Sequence, residues 1–113
     1  MTRYDDAMRL RHMLEHAREA VAMIQGRRPD DLKTDRMFQL ALVRLIEIVG
    51  EAASRVSDEG QNHYPSIPWQ EARGMRNRLV HGYDTVDLDV LWDTVQDDLP
   101  PLIEELQKIL DNG

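Results

Sequence analysis

The chain has 113 residues, which suits one small domain over residues 1–113, and 42% apolar with 31% charged residues indicates a globule rather than disorder. It has no cysteine, which excludes disulfide scaffolds, thiolate zinc sites and cysteine nucleophiles, and its net charge of -7 argues against coating duplex DNA by bulk charge. No apolar run approaches the ~20 residues that span a bilayer, and the N-terminus lacks the apolar stretch of a secretion signal. We therefore expect a cytoplasmic protein without membrane contact.

The first predicted element is an amphipathic helix over residues 4–26. Gly26 to Pro29 is a breaker sequence that predicts the end of this helix. Its apolar residues recur at steps of three and four, which places them on one face: Ala7, Leu10, Leu14, Ala17, Val21 and Ile24.

The second predicted helix covers residues 31–57 and carries two neighbouring apolar rows. Asp30, Asp31 or Thr34 is expected to cap its start. Two rows predict either a central helix or a helix that also packs on a second subunit, and we favour the second subunit. The rows are Phe38, Ala41, Leu45, Ile48 and Ala52, and then Leu42, Ile46, Val49, Ala53 and Val56.

Residues 58–68 are predicted to be a connection, because they contain Gly60, Pro65 and Pro68. A short third helix is expected from Trp69 to Val80, with Pro68 well placed as its first residue. Gly82 is expected to stop this helix in a left-handed cap.

The last periodic segment covers residues 87–111 and is interrupted by Pro100 and Pro101. Its apolar positions keep their phase across the prolines, so we expect one kinked helix or two nearly collinear helices. The whole pattern predicts an all-α fold, an antiparallel bundle of four or five helices. The apolar positions of the segment are Leu88, Leu91, Val95, Leu99, Leu102, Leu106 and Ile109.

Two polar patterns could hold a metal ion, but both fit a solvated helix face better. His12 and His16 are four residues apart, a spacing that can hold zinc only if a third ligand is present. A row of carboxylates at 89, 93 and 97 lies in a stretch without lysine or arginine from residue 84 to residue 107. Such a row is usually a solubilising face or a surface for a basic partner, and we expect no metal.

The dense basic patch lies between residues 73 and 83. All cationic residues of the chain except Lys33 and Lys108 are arginine, whose planar fork suits phosphate. On an unbroken helix, side chains five residues apart diverge by about 140°. Arg76 and His81 therefore converge only if the helix ends near His81 or if a second subunit completes the cleft. The patch consists of Arg73, Arg76, Asn77, Arg78, His81 and Tyr83.

Cleavage of an RNA phosphodiester needs these residue types. A histidine titrates near neutral pH and can move a proton to or from the ribose 2'-hydroxyl or the leaving oxygen. An arginine neutralises charge on the phosphoryl oxygens, and a tyrosine can stack on a base or bond a phosphate. The alternative for the same residues is an incidental surface helix end with a capping histidine.

The run from Pro68 to Asp84, with Val86-Asp87 and Asp98-Leu99-Pro100, resembles the HEPN-fold toxins of the HepT type, also called DUF86. The motif of that family is an arginine, a short spacer, a histidine, any residue and a tyrosine, and it matches Arg76, His81 and Tyr83. The segment Arg44 to Ala53 also resembles the second helix of the family.

The resemblance implies a helical HEPN bundle that acts as a homodimer, with two motifs lining a shared cleft. It implies metal-independent endoribonuclease activity without a cofactor, in which Arg76 and His81 are the catalytic pair and Asn77 supports them. Arg73 and Arg78 lie outside the family motif, and we expect them to bind RNA phosphate on charge grounds alone.

The resemblance also implies a partner, a minimal nucleotidyltransferase that is the antitoxin of a toxin–antitoxin pair. This antitoxin would transfer AMP to Tyr83, which would place a phosphate and steric bulk in an RNA-binding cleft, or it would act by binding alone. The class of RNA and assembly beyond a dimer stay open. The alternatives are a non-catalytic helical dimer that binds nucleotide or RNA, or serves only as a partner of the nucleotidyltransferase, and a purely structural bundle.

Overall fold

The computed structural model describes residues 4–112, which form seven α-helices, one two-stranded hairpin and one π-helical turn. This architecture confirms the predicted all-α class, and none of the helices in this range is long and apolar enough to cross a membrane. That residues 1–113 form one domain stays a prediction. In chain order the elements are α1 (Tyr4–Met23), α2 (Asp31–Thr34), α3 (Arg36–Arg55), α4 (Asp58–His63), α5 (Trp69–Leu79), β1 (Val80–His81), β2 (Thr85–Val86), α6 (Leu88–Asp93), the π-helical turn (Thr94–Asp98) and α7 (Leu99–Asn112).

Helix α3 is the central helix, because it packs against α1 on one side and against α5 on the other. All five residues of its second apolar row, from Leu42 to Val56, are buried, and so are Phe38, Leu45 and Ala52 of the first row. The second row is thus covered within one chain, whereas Ala41 and Ile48 of the first row remain half-buried. The second row therefore does not require another subunit to cover it, and the homodimer stays a prediction that rests on the resemblance.

The segment predicted as one helix over residues 31–57 is divided at Asp35. This residue has extended backbone, and its side chain accepts a hydrogen bond from the backbone N–H of Phe38 at 3.0 Å. Asp35 therefore caps α3, whereas Asp30, one of the three alternatives predicted, stands at the N-cap of α2 without a side-chain hydrogen bond. An aspartate in the position of Asp35 satisfies one of the free N–H groups at a helix start. Helix α1 ends at Met23, three residues before the predicted end.

Arg27 holds the junction between α1, α2 and α3. Its guanidinium lies 2.9 Å from a carboxylate oxygen of Asp35, 3.3 Å from one of Asp31, and 4.0 Å above the ring centre of Phe38. The backbone N–H of Arg28 and then the Arg27 guanidinium lower the pKa of Asp31. The N–H of Phe38, followed by Arg27, lowers the pKa of Asp35. This junction is a structural network of mutually satisfied groups.

The predicted connection over residues 58–68 contains a helix, α4, so this part of the prediction was wrong. Ser57 caps α4 by accepting a hydrogen bond from the N–H of Gly60 at 3.0 Å. The hydroxyl of Ser57 also donates to the buried carboxylate of Asp6 on α1, and its N–H donates to the same carboxylate at 2.9 Å. The cap and the buried carboxylate together allow a short helix despite the unfavourable glycine.

Helix α5 ends at Leu79, and the chain then forms a hairpin that the sequence did not predict. Val80 pairs with Val86 and His81 pairs with Thr85 in antiparallel register. Gly82 does adopt the left-handed conformation, with φ of 71°, but it lies in the hairpin turn rather than at a helix cap. Pro68 stands at the cap position before α5, one residue earlier than expected.

The predicted interruption near Pro100 and Pro101 takes the form of the π-helical turn immediately before α7. A proline has no N–H, and its ring collides with the carbonyl four residues earlier in an α-helix. The carbonyls concerned belong to Gln96 and Asp97, both within this turn. Widening to π geometry, in which Leu99 donates to the carbonyl of Thr94, relieves that collision while the helical path continues.

Candidate functional site

The candidate site begins with a close approach of α3 and α5 at Gly50. A Cβ atom on Gly50 would lie 3.1 Å from the carbonyl oxygen of Ala72 and 3.4 Å from that of Arg73. Backbone atoms cannot move aside as a flexible side chain could, so the absence of a side chain lets the helices come this close. The two helices run antiparallel, which brings Glu47, one turn before Gly50, next to Arg76, one turn after Ala72.

Arg76 is held from α3 by a single carboxylate. Its Nε lies 3.2 Å from Oε2 of Glu47, and Oε1 of the same carboxylate accepts a hydrogen bond from Arg44 at 2.6 Å. The side chains of Arg76 and Glu47 remain 46% and 35% exposed. Ion pairs this open contribute little to stability, so Arg76 stays accessible to an anion from solvent.

The hairpin after α5 presents the other two motif residues to solvent. His81 lies exposed on β1, and Tyr83 is fully exposed in the turn that follows. Within residues 4–112 the imidazole of His81 makes no hydrogen bond or ion pair. A tyrosine that buries none of its surface contributes nothing to the core, so packing does not explain its presence at this position.

Arg76 and Tyr83 line one cleft of about 180 Å³ between the first half of α3 and the hairpin. His81 follows Val80, a residue of the cleft wall, but its own side chain is not part of the lining. Arg76 and Tyr83 thus line the same cleft, whereas His81 lies next to its wall and does not line it. The lining residues are Arg36, Gln39, Leu40, Val43, Arg76, Val80, Tyr83, Asp84 and Val86.

The other predicted residues of the patch lie outside this cleft. Arg73 donates a hydrogen bond to the side chain of Gln61 at 2.9 Å, which directs it towards α4. Arg78 lies 3.9 Å from a carboxylate oxygen of Asp98 and lines a separate cavity beside the π-helical turn. Asn77 is exposed on α5. Phosphate binding by Arg73 and Arg78 and support by Asn77 therefore remain predictions without a shared geometry.

Comparison with known proteins identifies the family. Residues 13–109 match the model of a family described as Ribonuclease HepT-like. The chain belongs to the HepT-like ribonuclease family. The stated resemblance is thereby confirmed over most of the chain.

Curated HepT-like relatives cover the chain along most of its length. It is 36% identical to a "Probable ribonuclease HepT" of Thermococcus cleftensis over 85% of this chain and 91% of the relative. It is 31% identical to a "Putative RNase" of Caldanaerobacter subterraneus over 89% and 90%. It is also 37% identical to a "Gamma-glutamylcyclotransferase and putative RNase" of Methanocaldococcus jannaschii, over 96% of this chain but 49% of that protein. No solved structure matches the chain.

The sequence analysis of this HepT-like chain missed the contribution of α3 to the cleft. Arg36 stands in the first turn of α3, where a cation opposes the helix dipole. Leu40 lines the cleft and is 50% exposed. Met37, the residue after Arg36, is 82% exposed. Arg36 gave no signal in the sequence, because the aspartate cap that precedes it is known only from the structure. Glu47 gave none, since its approach to Arg76 depends on the packing of two helices.

The two metal-like patterns of this family member gain no third ligand. Nδ1 of His16 lies 2.7 Å from the carbonyl oxygen of His12, one turn earlier, so that nitrogen is occupied within the helix. Residues 4–112 contain no group of three or more histidine, aspartate and glutamate side chains that could hold a metal ion. Asp89, Asp93 and Asp97 are exposed and form part of an acidic face.

A larger cavity of about 450 Å³ lies between α4 and α7, lined partly by His63 and Tyr64. It contains none of the residues of the HepT-like motif. Its one cation, Lys108, is already within 3.7 Å of Glu105. This larger cavity therefore suits an anionic ligand less well than the smaller cleft at Arg76 does, although cavity size alone would favour it.

Proposed function

We propose that this chain is a metal-independent endoribonuclease and the toxin of a toxin–antitoxin pair. The observation that carries the proposal is the cleft that Arg76 and Tyr83 both line, with the exposed His81 next in sequence to Val80 of the cleft wall. Arginine and histidine next to an open cleft suit a polyanion with a labile phosphodiester. Arg36 in the same cleft supplies a second cation for a neighbouring phosphate.

The proposed reaction is attack of the ribose 2'-oxygen on the adjacent phosphorus. The 2'-hydroxyl loses its proton, the bond from phosphorus to the 5'-oxygen breaks, and the leaving 5'-oxygen takes up a proton. His81 transfers one of these protons, and Arg76 stabilises the negative charge on the phosphoryl oxygens. The products are a 2',3'-cyclic phosphate and a free 5'-hydroxyl.

The proposed partner is a minimal nucleotidyltransferase antitoxin that transfers AMP to Tyr83. Tyr83 is fully exposed, so an enzyme can reach its hydroxyl. Because Tyr83 lines the cleft, a group added there would lie where RNA is proposed to bind. The added phosphate would pair with the cations of the cleft and repel RNA. The proposal includes a homodimer in which two clefts combine, and a cytoplasmic location.

One observation favours a second candidate function, a helical module that binds RNA or nucleotide without cleaving it. A catalytic histidine is ordinarily oriented by a hydrogen bond to one of its ring nitrogens. Within residues 4–112, His81 has no such partner. Under the nuclease proposal the partner comes from RNA or from a second subunit, whereas a binding module needs none.

The test is RNA cleavage in EDTA by the purified protein, His81→Ala and His63→Ala. His63 is a matched control, since it is also exposed but lies at the end of α4. We expect cleavage by the parent and by His63→Ala with cyclic phosphate ends, and none by His81→Ala. Equal cleavage by His81→Ala, or fragments with a 5'-phosphate, would contradict the proposed mechanism.

The intact mass of the protein, purified with and without the antitoxin, tests the partner and the alternative. An added AMP that is absent from Tyr83→Phe supports modification at Tyr83. An unmodified parent that binds RNA or nucleotide without turnover favours the binding module instead.

A further inference from the structure

Arg76 has one contact that the HepT-like motif does not contain, the carboxylate of Glu47. Glu47 is 35% exposed on α3, and its two oxygens are divided between two arginines. Oε1 accepts from Arg44 and Oε2 lies 3.2 Å from Nε of Arg76. One carboxylate thus serves two cations, and the cluster keeps a net positive charge.

The contacting atom of Arg76 is the nitrogen nearest the side-chain stem. A guanidinium has five N–H groups, one on Nε and four on the two terminal nitrogens. Contact at Nε fixes the plane of the guanidinium without consuming its terminal fork, the part that binds phosphate bidentately. The close packing of α3 and α5 at Gly50 sets the distance over which this contact forms.

We propose that Glu47 is the positioning residue of the site, because it orients the guanidinium of Arg76 for the phosphate undergoing cleavage. This inference rests on the proposed nuclease function and adds a residue to it. Misplacement of a catalytic group by about 1 Å can lower a rate by about 100-fold. An arginine without this carboxylate samples many rotamers, and few of them aim its fork at the reacting phosphate.

Glu51 provides a matched control on the same helix. It is exposed, stands one turn after Glu47 and lies 3.8 Å from Arg55, a residue of the same helix. Glu47→Gln and Glu51→Gln each remove one negative charge from the same face of α3. Only Glu47→Gln removes the carboxylate that pairs with Arg76, and it leaves a neutral amide oxygen as the weaker acceptor in its place.

The experiment measures kcat and KM for RNA cleavage, and binding of an uncleavable 2'-O-methyl RNA, for the parent, Glu47→Gln, Glu51→Gln and Arg76→Ala. We expect Glu47→Gln to lower kcat by about 10- to 100-fold. RNA binding should stay unchanged or become tighter, because a repulsive charge is lost. Glu51→Gln should keep kcat, and Glu47→Asp should recover part of the loss. Thermal unfolding verifies that each variant is folded.

A double-mutant cycle separates positioning from a general effect of charge. In the Arg76→Ala background, Glu47→Gln should cause no further loss of kcat, since the group it orients is absent. An additional full loss, or equal kcat for the parent and Glu47→Gln, would overturn the inference while the nuclease proposal stands. If Arg76→Ala cleaves RNA as the parent does, the role of Arg76 fails, and the inference fails with it.

Discussion

Arg27 and Arg76 each meet carboxylates, but they do so in opposite ways. Arg27 contacts two aspartates that also accept hydrogen bonds from backbone N–H groups, and its guanidinium covers the ring of Phe38. Arg76 contacts one glutamate, Glu47, which it shares with Arg44, and it faces an open cleft. The first arginine joins three helices, whereas the second leaves most of its hydrogen-bonding capacity for something outside the chain.

This difference shows how an arginine of the scaffold can be told from an arginine of the site. Sequence density does not separate them, because Arg27 and Arg28 are adjacent and thus even closer in sequence than Arg76 and Arg78. The contacts separate them. The guanidinium of a scaffold arginine contacts side chains that also accept hydrogen bonds from backbone N–H groups. The guanidinium of a site arginine faces an open cleft.

The largest expected effect on RNA cleavage comes from replacing Arg76 by alanine, and Arg27→Ala is the variant to compare with it. Arg76→Ala should lower RNA cleavage by at least about 100-fold, because charge on the phosphoryl oxygens loses its partner. Its free energy of unfolding should stay within about 0.5 kcal/mol of the parent. Arg27→Ala should unfold at a lower temperature and keep its specific activity. Cleavage assays and thermal unfolding of both variants test the comparison, and a reversal of the two patterns would refute it.

Gly50→Ala should damage both the scaffold and the site. The added methyl group meets backbone carbonyls at 3.1 Å and 3.4 Å, so α3 and α5 must move apart at a cost of about 1–3 kcal/mol. The movement also separates Glu47 from Arg76 and should lower kcat. Gly74→Ala on α5 is the control, because nothing lies within 4 Å of its Cβ. Denaturant unfolding should show Gly74→Ala to be as stable as the parent or more stable.

Arg36→Gln should weaken RNA binding by about 3- to 10-fold and leave kcat nearly unchanged, as expected for a cation that contacts a phosphate away from the reacting bond. Removing a cation from the first turn of α3 should not destabilise the helix. Arg18→Gln is the control, since Arg18 donates to Gln107 on α7, away from the cleft. A fall in kcat as large as that of Arg76→Ala would instead make Arg36 catalytic.

The smallest expected effect is the acid sensitivity of the Arg27 junction. The pKa values of Asp31 and Asp35 lie below the ordinary 3.8, so the folded state binds fewer protons there than the unfolded state. Their stabilising contribution is complete above pH 3.8 and is lost as the pH falls through the lowered pKa values. Urea unfolding between pH 7 and pH 3 should show a shallower decline for Asp35→Asn than for the parent. Asp89→Asn, an exposed change on α6, should follow the parent.

The helical periodicity predicted α1, α3 and α7 because each buries apolar rows that repeat in the sequence, whereas α5 was predicted from Pro68 and Gly82 at its ends. The short elements were missed for a different reason. Helix α4 depends on Ser57 and on Asp6, which is 51 residues away in the chain. The hairpin of four paired residues is too short to show an alternating pattern.

The motif residues could be recognised from sequence because they lie within one short segment, from Arg76 to Tyr83. The segment did not reveal how they divide in space. Arg73 turns to Gln61, Arg76 turns to Glu47, and only the packing of three helices decides these directions. Arg36 enters the cleft from a position 40 residues earlier than Arg76, so no local pattern could have joined them.

The acidic face described above should give the proposed RNA binding an unusual dependence on ionic strength. Exposed carboxylates of Asp89, Asp93 and Asp97 would repel a polyanion, while the cations of the cleft would attract it. Dissolved ions weaken the attraction by competing for phosphate and weaken the repulsion by screening. RNA affinity should therefore fall less steeply with added potassium chloride than the number of contacted phosphates predicts. Neutralising these aspartates should restore the steeper slope and allow RNA to bind outside the cleft.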